Sequence, residues 1–181
     1  MNSETKKLCG EILQKLLKKY DQRSAKQVDT KRRITLRPSE IYKAYAANNA
    51  DIRQKETINE AVHQLESKQL VTVKRLKYSD EIEKIYMSED SVSSAQDFLR
   101  NQCGIIPRDQ IKEEVFRLFE DYEHGGVLVH AYCASLRQHL NETADEIAFS
   151  RIEANLKMID FLEKNRKALY VREASILVYG D

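Results

Sequence analysis

Arg32-Arg33-Ile34-Thr35-Leu36-Arg37-Pro38 opens the stretch whose reading decides the fold, and Leu70-Val71-Thr72-Val73-Lys74-Arg75 with Ile82-Glu83-Lys84-Ile85-Tyr86-Met87 closes it. The first run alternates as a short strand does. Pro38 then sits where a helix can start, because a first-turn residue needs no backbone N–H and proline already has the helical φ. A short helix to about Ala47 is predicted, and Asn48-Asn49-Ala50-Asp51 is a turn cluster. Ile58, Ala61, Val62 and Leu65 recur at three- and four-residue spacing, the signature of one apolar helix face over roughly 54–68. From Leu70 the period becomes two, Tyr78-Ser79-Asp80-Glu81 makes a turn, and the chain alternates on the way back through Met87.

Strand, helix, turn, helix and hairpin in that order is the winged-helix order. The chain is accordingly predicted to be α+β and mostly helical, in three parts: an N-terminal helix with a basic linker (1–31), a winged-helix domain (32–103) and an acidic helical domain ending in a strand (104–181). Its 181 residues, 41% hydrophobic and 33% charged, suffice for one large or two small cores. Five Gly and two Pro favour long helices over a turn-rich β-sandwich. No apolar run approaches the roughly 20 residues of a membrane span, and the first residues lack the apolar segment of a signal peptide, so a cytoplasmic protein is expected.

Charge is unevenly spread. Residues 1–87 hold 19 Lys and Arg against 12 Asp and Glu, a net of +7; residues 88–181 hold 11 against 17, a net of −6. The first half suits phosphate and the second repels it. From Lys18 to Arg37 the cations Lys18, Lys19, Arg23, Lys26, Lys31, Arg32, Arg33 and Arg37 face only Asp21 and Asp29. That segment reads either as a solvated linker or as an arm that meets DNA phosphates and releases counterions. Lys74, Arg75 and Lys77 precede the hairpin turn and could meet the backbone as well. The helix before the hairpin carries Lys55, but Glu56, Glu60 and Glu66 interrupt its cations, which argues against sequence-specific readout. Lys26, Lys31, Arg32, Arg33, Arg37, Lys55, Lys74, Arg75 and Lys77 are the candidate DNA contacts. Such folds also dock proteins, so a docking role for the unit stays open.

The remainder reads as helices: Leu8, Ile12, Leu16 and Tyr20 stripe an N-terminal helix over about 5–22; Ser88-Glu89-Asp90 starts another, which Gly104 can end. Ile105-Ile106-Pro107 opens a helix closed by His124-Gly125-Gly126; Val127–Leu140 and Ala144 to about Lys164 follow. Leu169, Val171, Ile176, Val178 and Tyr179 are strand formers, so a strand is predicted over 168–181.

Candidate chemistry is sparse. Cys9, Cys103 and Cys133 are distant and odd in number, without a Cys-x-x-Cys pair, and read as reduced core thiols. His130 and Cys133 lie one turn apart, yet His124 and His139 do not complete the four-ligand set that structural zinc needs. Glu142, Asp145 and Glu146 beside Thr143 read as a helix N-terminus rather than a metal cluster. Tyr42, Tyr45 and Tyr86 read as core or rim residues. No Gly-rich phosphate loop and no nucleophile elbow occurs. Neither a catalytic residue, a metal nor a cofactor is predicted.

Arg172-Glu173-Ala174-Ser175-Ile176 followed by Gly180-Asp181 resembles a segment of the nuclease subunit of the Wadjet plasmid-defence systems, the JetD-like proteins, where Arg-Glu-x-Ser-Ile leads into Gly-Asp-Ser-Lys shortly before a Toprim domain. Arg32-Arg33-Ile34-Thr35-Leu36 and Pro38-Ser39-Glu40-Ile41-Tyr42 are similar to that family's early part. The resemblance implies the N-terminal portion of a bacterial, topoisomerase-related DNA nuclease subunit that positions double-stranded DNA without sequence preference beside a condensin-like ATPase complex. It implies Mg²⁺ only for a Toprim domain, whose Ser-Lys and carboxylates these residues do not contain, so cleavage is not expected of this stretch. Two rivals are a protein-docking module and a winged-helix transcription regulator whose helical half dimerises.

Overall fold

The computed structural model describes residues 2–26, 33–165 and 169–180. Two compact units, Met1–Pro107 and Arg108–Asp181, each enclose a core of their own. The described residues are α+β and mostly helical, with seven α-helices and one three-stranded antiparallel sheet. None of these helices is long and apolar enough to cross a membrane.

The first unit begins with α1 (Ser3–Ala25), whose leading N–H groups would be unpaired but for the Asn2 side chain, which accepts from the Glu4 N–H. After β1 (Ile34–Leu36), a single 3₁₀ turn covers Pro38–Glu40, followed by α2 (Ile52–Ser67), β2 (Thr72–Arg75) and β3 (Ile82–Met87). The strands lie in the order β1-β3-β2, so β3 is central, paired with its hairpin partner β2 on one side and with the early strand β1 on the other. Register places Ile34 opposite Met87, and Leu36 opposite Ile85 opposite Val73. Those side chains form the inner face. Against it pack Ile12, Leu13 and Leu16 of α1 and Ile58, Val62 and Leu65 of α2, all buried. Ile58, Val62, Leu65, Val71 and Ile85 thus share one core, with Val73 packed at its margin. Each such aliphatic side chain contributes about 1.5 to 3 kcal/mol of burial.

The helix predicted from Pro38 to Ala47 is not formed. Instead Ile41, Tyr45, Ala47 and Ala50 each donate their N–H to the carbonyl three residues back, a chain of turns. So short a helix has little stability of its own, and two tyrosine hydroxyls decide the path. Tyr45 is buried with its hydroxyl donating to Asn59 Oδ1 (2.6 Å) and accepting from the Ile82 N–H (3.3 Å), while the Tyr42 hydroxyl accepts from the Asp51 N–H (3.1 Å). Asp51 in turn caps α2 through the Arg53 N–H.

Past β3, a 3₁₀ turn leads into α3 (Val92–Phe98), whose last turn widens over Leu99–Cys103 and stops at Gly104, φ +69°. Only a residue without Cβ takes that left-handed backbone freely.

The second unit contains α4 (Arg108–Asp121), α5 (Val127–Glu142), α6 (Phe149–Lys164) and α7 (Val171–Tyr179) around Val115, Phe119, Val129, Ile152 and Leu156. Two expectations are corrected here. The helix predicted to start at Ala144 starts at Phe149, and Thr143 ends α5, its hydroxyl donating to the His139 carbonyl. Residues 143–148 cross between helices without regular structure, held by Arg108, which donates to Thr143 O and Asp145 O and to Leu140 O at the end of α5, at 2.8 to 3.1 Å. Glu142, Asp145 and Glu146 are therefore not a helix N-terminus. The strand predicted over 168–181 is the helix α7. Among the described residues the second unit has no strand to pair with, and a lone strand would leave its backbone groups unpaired, whereas a helix satisfies them internally. Glu173 accepts from the Tyr170 N–H to cap it, and the Tyr179 hydroxyl ties its far end to the Ala154 carbonyl of α6 (2.7 Å).

Candidate nucleic-acid interface

The sheet of the first unit has one face on the core and one open. Since side chains alternate along a strand, residues adjacent to the inward ones point outward. Thr35 lies opposite Tyr86 and Tyr86 opposite Thr72, a row across all three strands. Beside them runs an open cleft of about 840 Å³. Its walls bring Lys19 and Arg23 from α1, Arg33 from the residue before β1, and Lys74 from β2 around the Tyr86 ring.

Local structure places each cation. Lys19 and Arg23 are one helical turn apart, so they share a face of α1. β1 is an outer strand, and alternate carbonyls on such a strand lack a partner. Lys19 Nζ donates to Thr35 O (2.9 Å) and Arg23 Nη2 to Arg33 O (3.4 Å), so α1 closes this edge of the sheet with positive charge. Lys19 also reaches Glu40 Oε2 at 2.6 Å. Burial pushes the Glu40 carboxyl up, but the hydrogen bonds from Lys19 and the Arg37 N–H outweigh it and hold the group below its usual range.

On the opposite edge, Lys74 Nζ pairs with Glu83 at 2.7 Å, and the ladder is irregular between Lys74 and Arg75. The hydrogen bond to Glu83 holds the Lys74 ammonium above its usual range, and the same bond holds the Glu83 carboxyl below its own. Both groups are open to water, which screens the pair and leaves it free to exchange partners.

The nine sequence-predicted contacts fall into distinct places. Arg33 and Lys74 both line the cleft. Lys26 follows the end of α1, Arg37 follows β1, and Lys77 lies in the hairpin turn with its ammonium over the Tyr78 ring; all three are exposed. Lys55 and Arg75 have another task. Lys55 pairs with Glu81 at 2.5 Å with its ammonium 5.2 Å from the centre of the Tyr45 ring, and Arg75 donates to Glu66 at 2.8 Å, so the two fasten the hairpin to α2. Lys31 and Arg32 lie outside the described residues.

Lys19, Arg23 and Tyr86 line the cleft but were not among the sequence-predicted contacts. The first two stood in the dense basic segment, and their four-residue spacing was a usable signal; Tyr86 required the register of β3.

Other constellations stay apart. Among the described residues no three His, Cys, Asp or Glu side chains converge as a metal site. His130 and His139 are exposed, while Cys133 is half-buried against the second core. Cys9 is buried, its thiol donating to the Ala61 carbonyl, and burial pushes its pKa up to about 11. No protein-family model, curated protein or solved structure matches this chain.

Proposed function

We propose that the first unit binds nucleic-acid backbone, double-stranded DNA in the first instance, without reading sequence. The observation that carries this is the convergence of Lys19, Arg23, Arg33 and Lys74 on one open cleft. Four cations from three elements line it, and the partners of Lys19 and Lys74 include a backbone carbonyl and the partly exposed carboxylates of Glu40 and Glu83, which a phosphate can replace. The element order, with turns in place of the second helix, is compatible with a winged helix whose hairpin is the wing. No base-reading helix is required, and α2 is poorly suited to one: Lys55 is tied to Glu81, and Glu56 and Glu60 stand beside it. The resemblance to the plasmid-defence nuclease family extends this proposal to positioning DNA beside a condensin-like complex in the bacterial cytoplasm.

Duplex binding measured across a salt series tests the reading. With about four phosphates engaged, log K falls against log salt with a slope of about −3 to −4, at an affinity in the micromolar range or weaker. Arg33→Ala flattens the slope by about 0.9. A flat dependence in the parent protein rejects phosphate contact.

A second reading, protein docking, is favoured by a separate observation in the second unit. Tyr170 and Val171 are 82% and 85% exposed, and Leu177 is 63% exposed on the same helix. Apolar side chains left open in number mark a partner surface.

A further inference from the structure

We infer that the outer face of the sheet binds an unpaired nucleotide of a single-stranded nucleic acid, its base stacked on the Tyr86 ring and its phosphates held by Lys19, Arg23, Arg33 and Lys74. This rests on the phosphate-binding reading of the same cleft and adds a base contact to it. Tyr86 occupies the central strand, with threonines directly opposite on either side. Their short side chains leave the larger ring standing above the sheet between them. The ring is half-buried; among the described residues it forms no aromatic pair and no cation–π contact, and its hydroxyl makes no hydrogen bond. By contrast, Tyr45 is committed to the fold through its hydroxyl, and Tyr42 through Asp51.

The cleft's volume of about 840 Å³ falls in the range of roughly 300 to 1,000 Å³ typical of small-ligand sites, enough for one nucleotide. Every base presents a π-face, so a lone aromatic on a positively charged surface accepts any of them. A base inside B-DNA has both faces covered by its neighbours, and the sheet ring cannot reach it. The site therefore prefers a strand that is already open. Glu40 and Glu83 are the carboxylates paired with Lys19 and Lys74, and their displacement keeps affinity modest and salt-sensitive.

The test is fluorescence anisotropy on the full 181-residue chain with three probes: an oligothymidylate, an oligouridylate and a duplex, each about 20 nucleotides long so that it exceeds the ~4 to 16 nucleotides of a compact single-strand site. Tyr86→Ala weakens single-strand binding by about fivefold or more, Tyr86→Phe stays within about twofold of the parent, and the duplex is unaffected by either change. Tighter binding of the oligothymidylate assigns the site to DNA, and of the oligouridylate to RNA; both support it. Unchanged single-strand affinity in Tyr86→Ala overturns the inference while duplex binding stands. Loss of duplex binding alone, with single strands still held through Tyr86, overturns the duplex reading and keeps the inference. Because Tyr86→Ala could disturb the sheet, photo-crosslinking of a 5-iodouracil oligonucleotide to the unaltered chain gives a second readout. The expected adduct is on Tyr86, and adducts confined to other residues overturn the site.

Discussion

The Glu163 carboxylate of α6 accepts the Leu128 N–H at 2.6 Å, so one helix supplies the N-terminal cap of another. Its second oxygen accepts from the Val129 N–H at 3.1 Å. A carboxylate in this place satisfies two orphan donors and meets the positive end of the α5 dipole.

That cap explains why Gly126 precedes α5. A Cβ there would lie 2.5 Å from the Glu163 carboxylate. Gly126→Ala should cost about 0.5 to 2 kcal/mol by swinging the flexible end of Glu163 off its donors, and Glu163→Ala about the same by removing the cap. The double variant should cost less than the sum, because shortening Glu163 removes the crowding. Strict additivity in urea unfolding would reject the contact.

Leu65 is fully buried where α2 meets the sheet. Leu65→Ala should therefore destabilise the first unit by about 2 to 5 kcal/mol. Leu177, mostly exposed on α7, serves as the control. Its replacement by Ala should change stability by about 0.5 kcal/mol or less. Equal effects in denaturant titrations would show that the core is not where the structure puts it.

Gln69 ends α2 with φ +59°, a backbone conformation that costs a side chain with Cβ about 1 to 2 kcal/mol. Its N–H bonds to Glu66 O at 2.9 Å and that of Leu70 to Leu65 O at 3.0 Å, the pairing of a Schellman cap. Gln69→Gly should raise stability by about 0.5 to 1 kcal/mol, the strain relieved less the added freedom of the unfolded chain. Gln69→Ala keeps the Cβ and should give no gain. A loss of stability in the glycine variant, read from thermal unfolding, would contradict the cap.

Glu40 links stability to pH. Burial raises its carboxyl pKa, yet Lys19 and the Arg37 N–H lower it further, and the net shift is downward from 4.5. A group depressed in the folded state stabilises the fold above its unfolded pKa and loses that contribution as pH falls through the folded value. Glu40→Gln should thus lower the urea midpoint at neutral pH, and the gap from the parent should close in acid. A gap of constant size across that titration would mean that the carboxylate charge is not what stabilises this corner.

Much of the architecture was legible because periodicity records burial. Ile58, Val62 and Leu65 at helical spacing, and Val71, Val73 and Ile85 at strand spacing, share a core, since apolar faces of those periods can be buried only against one another. Where several contacts compete over few residues, local pattern was insufficient. Residues 38–47 had the composition of a short helix, but the hydroxyls of Tyr42 and Tyr45 bond groups distant in sequence and hold turns instead. Thr143 and its acids looked like a helix start until Arg108 claimed the neighbouring carbonyls.

The cations of the first half were visible one by one, and their sum gave its positive charge. Which of them act together was decided in three dimensions. Arg33 and Lys74 line one cleft because β1 and β2 both pair with β3, and Lys19 and Arg23 join them because α1 lies along the outer edge of β1. Lys55 and Arg75, chemically equivalent in the sequence, are instead bound to Glu81 and Glu66. The sequence by itself determined the charge, the apolar faces and most of the helices, because these follow from composition and period, while the division into two cores, with α1 in the first, came from the packing. Only the tertiary structure decided the cleft around Tyr86 and the helical fate of residues 171–179, because both depend on which strands and helices are available as neighbours.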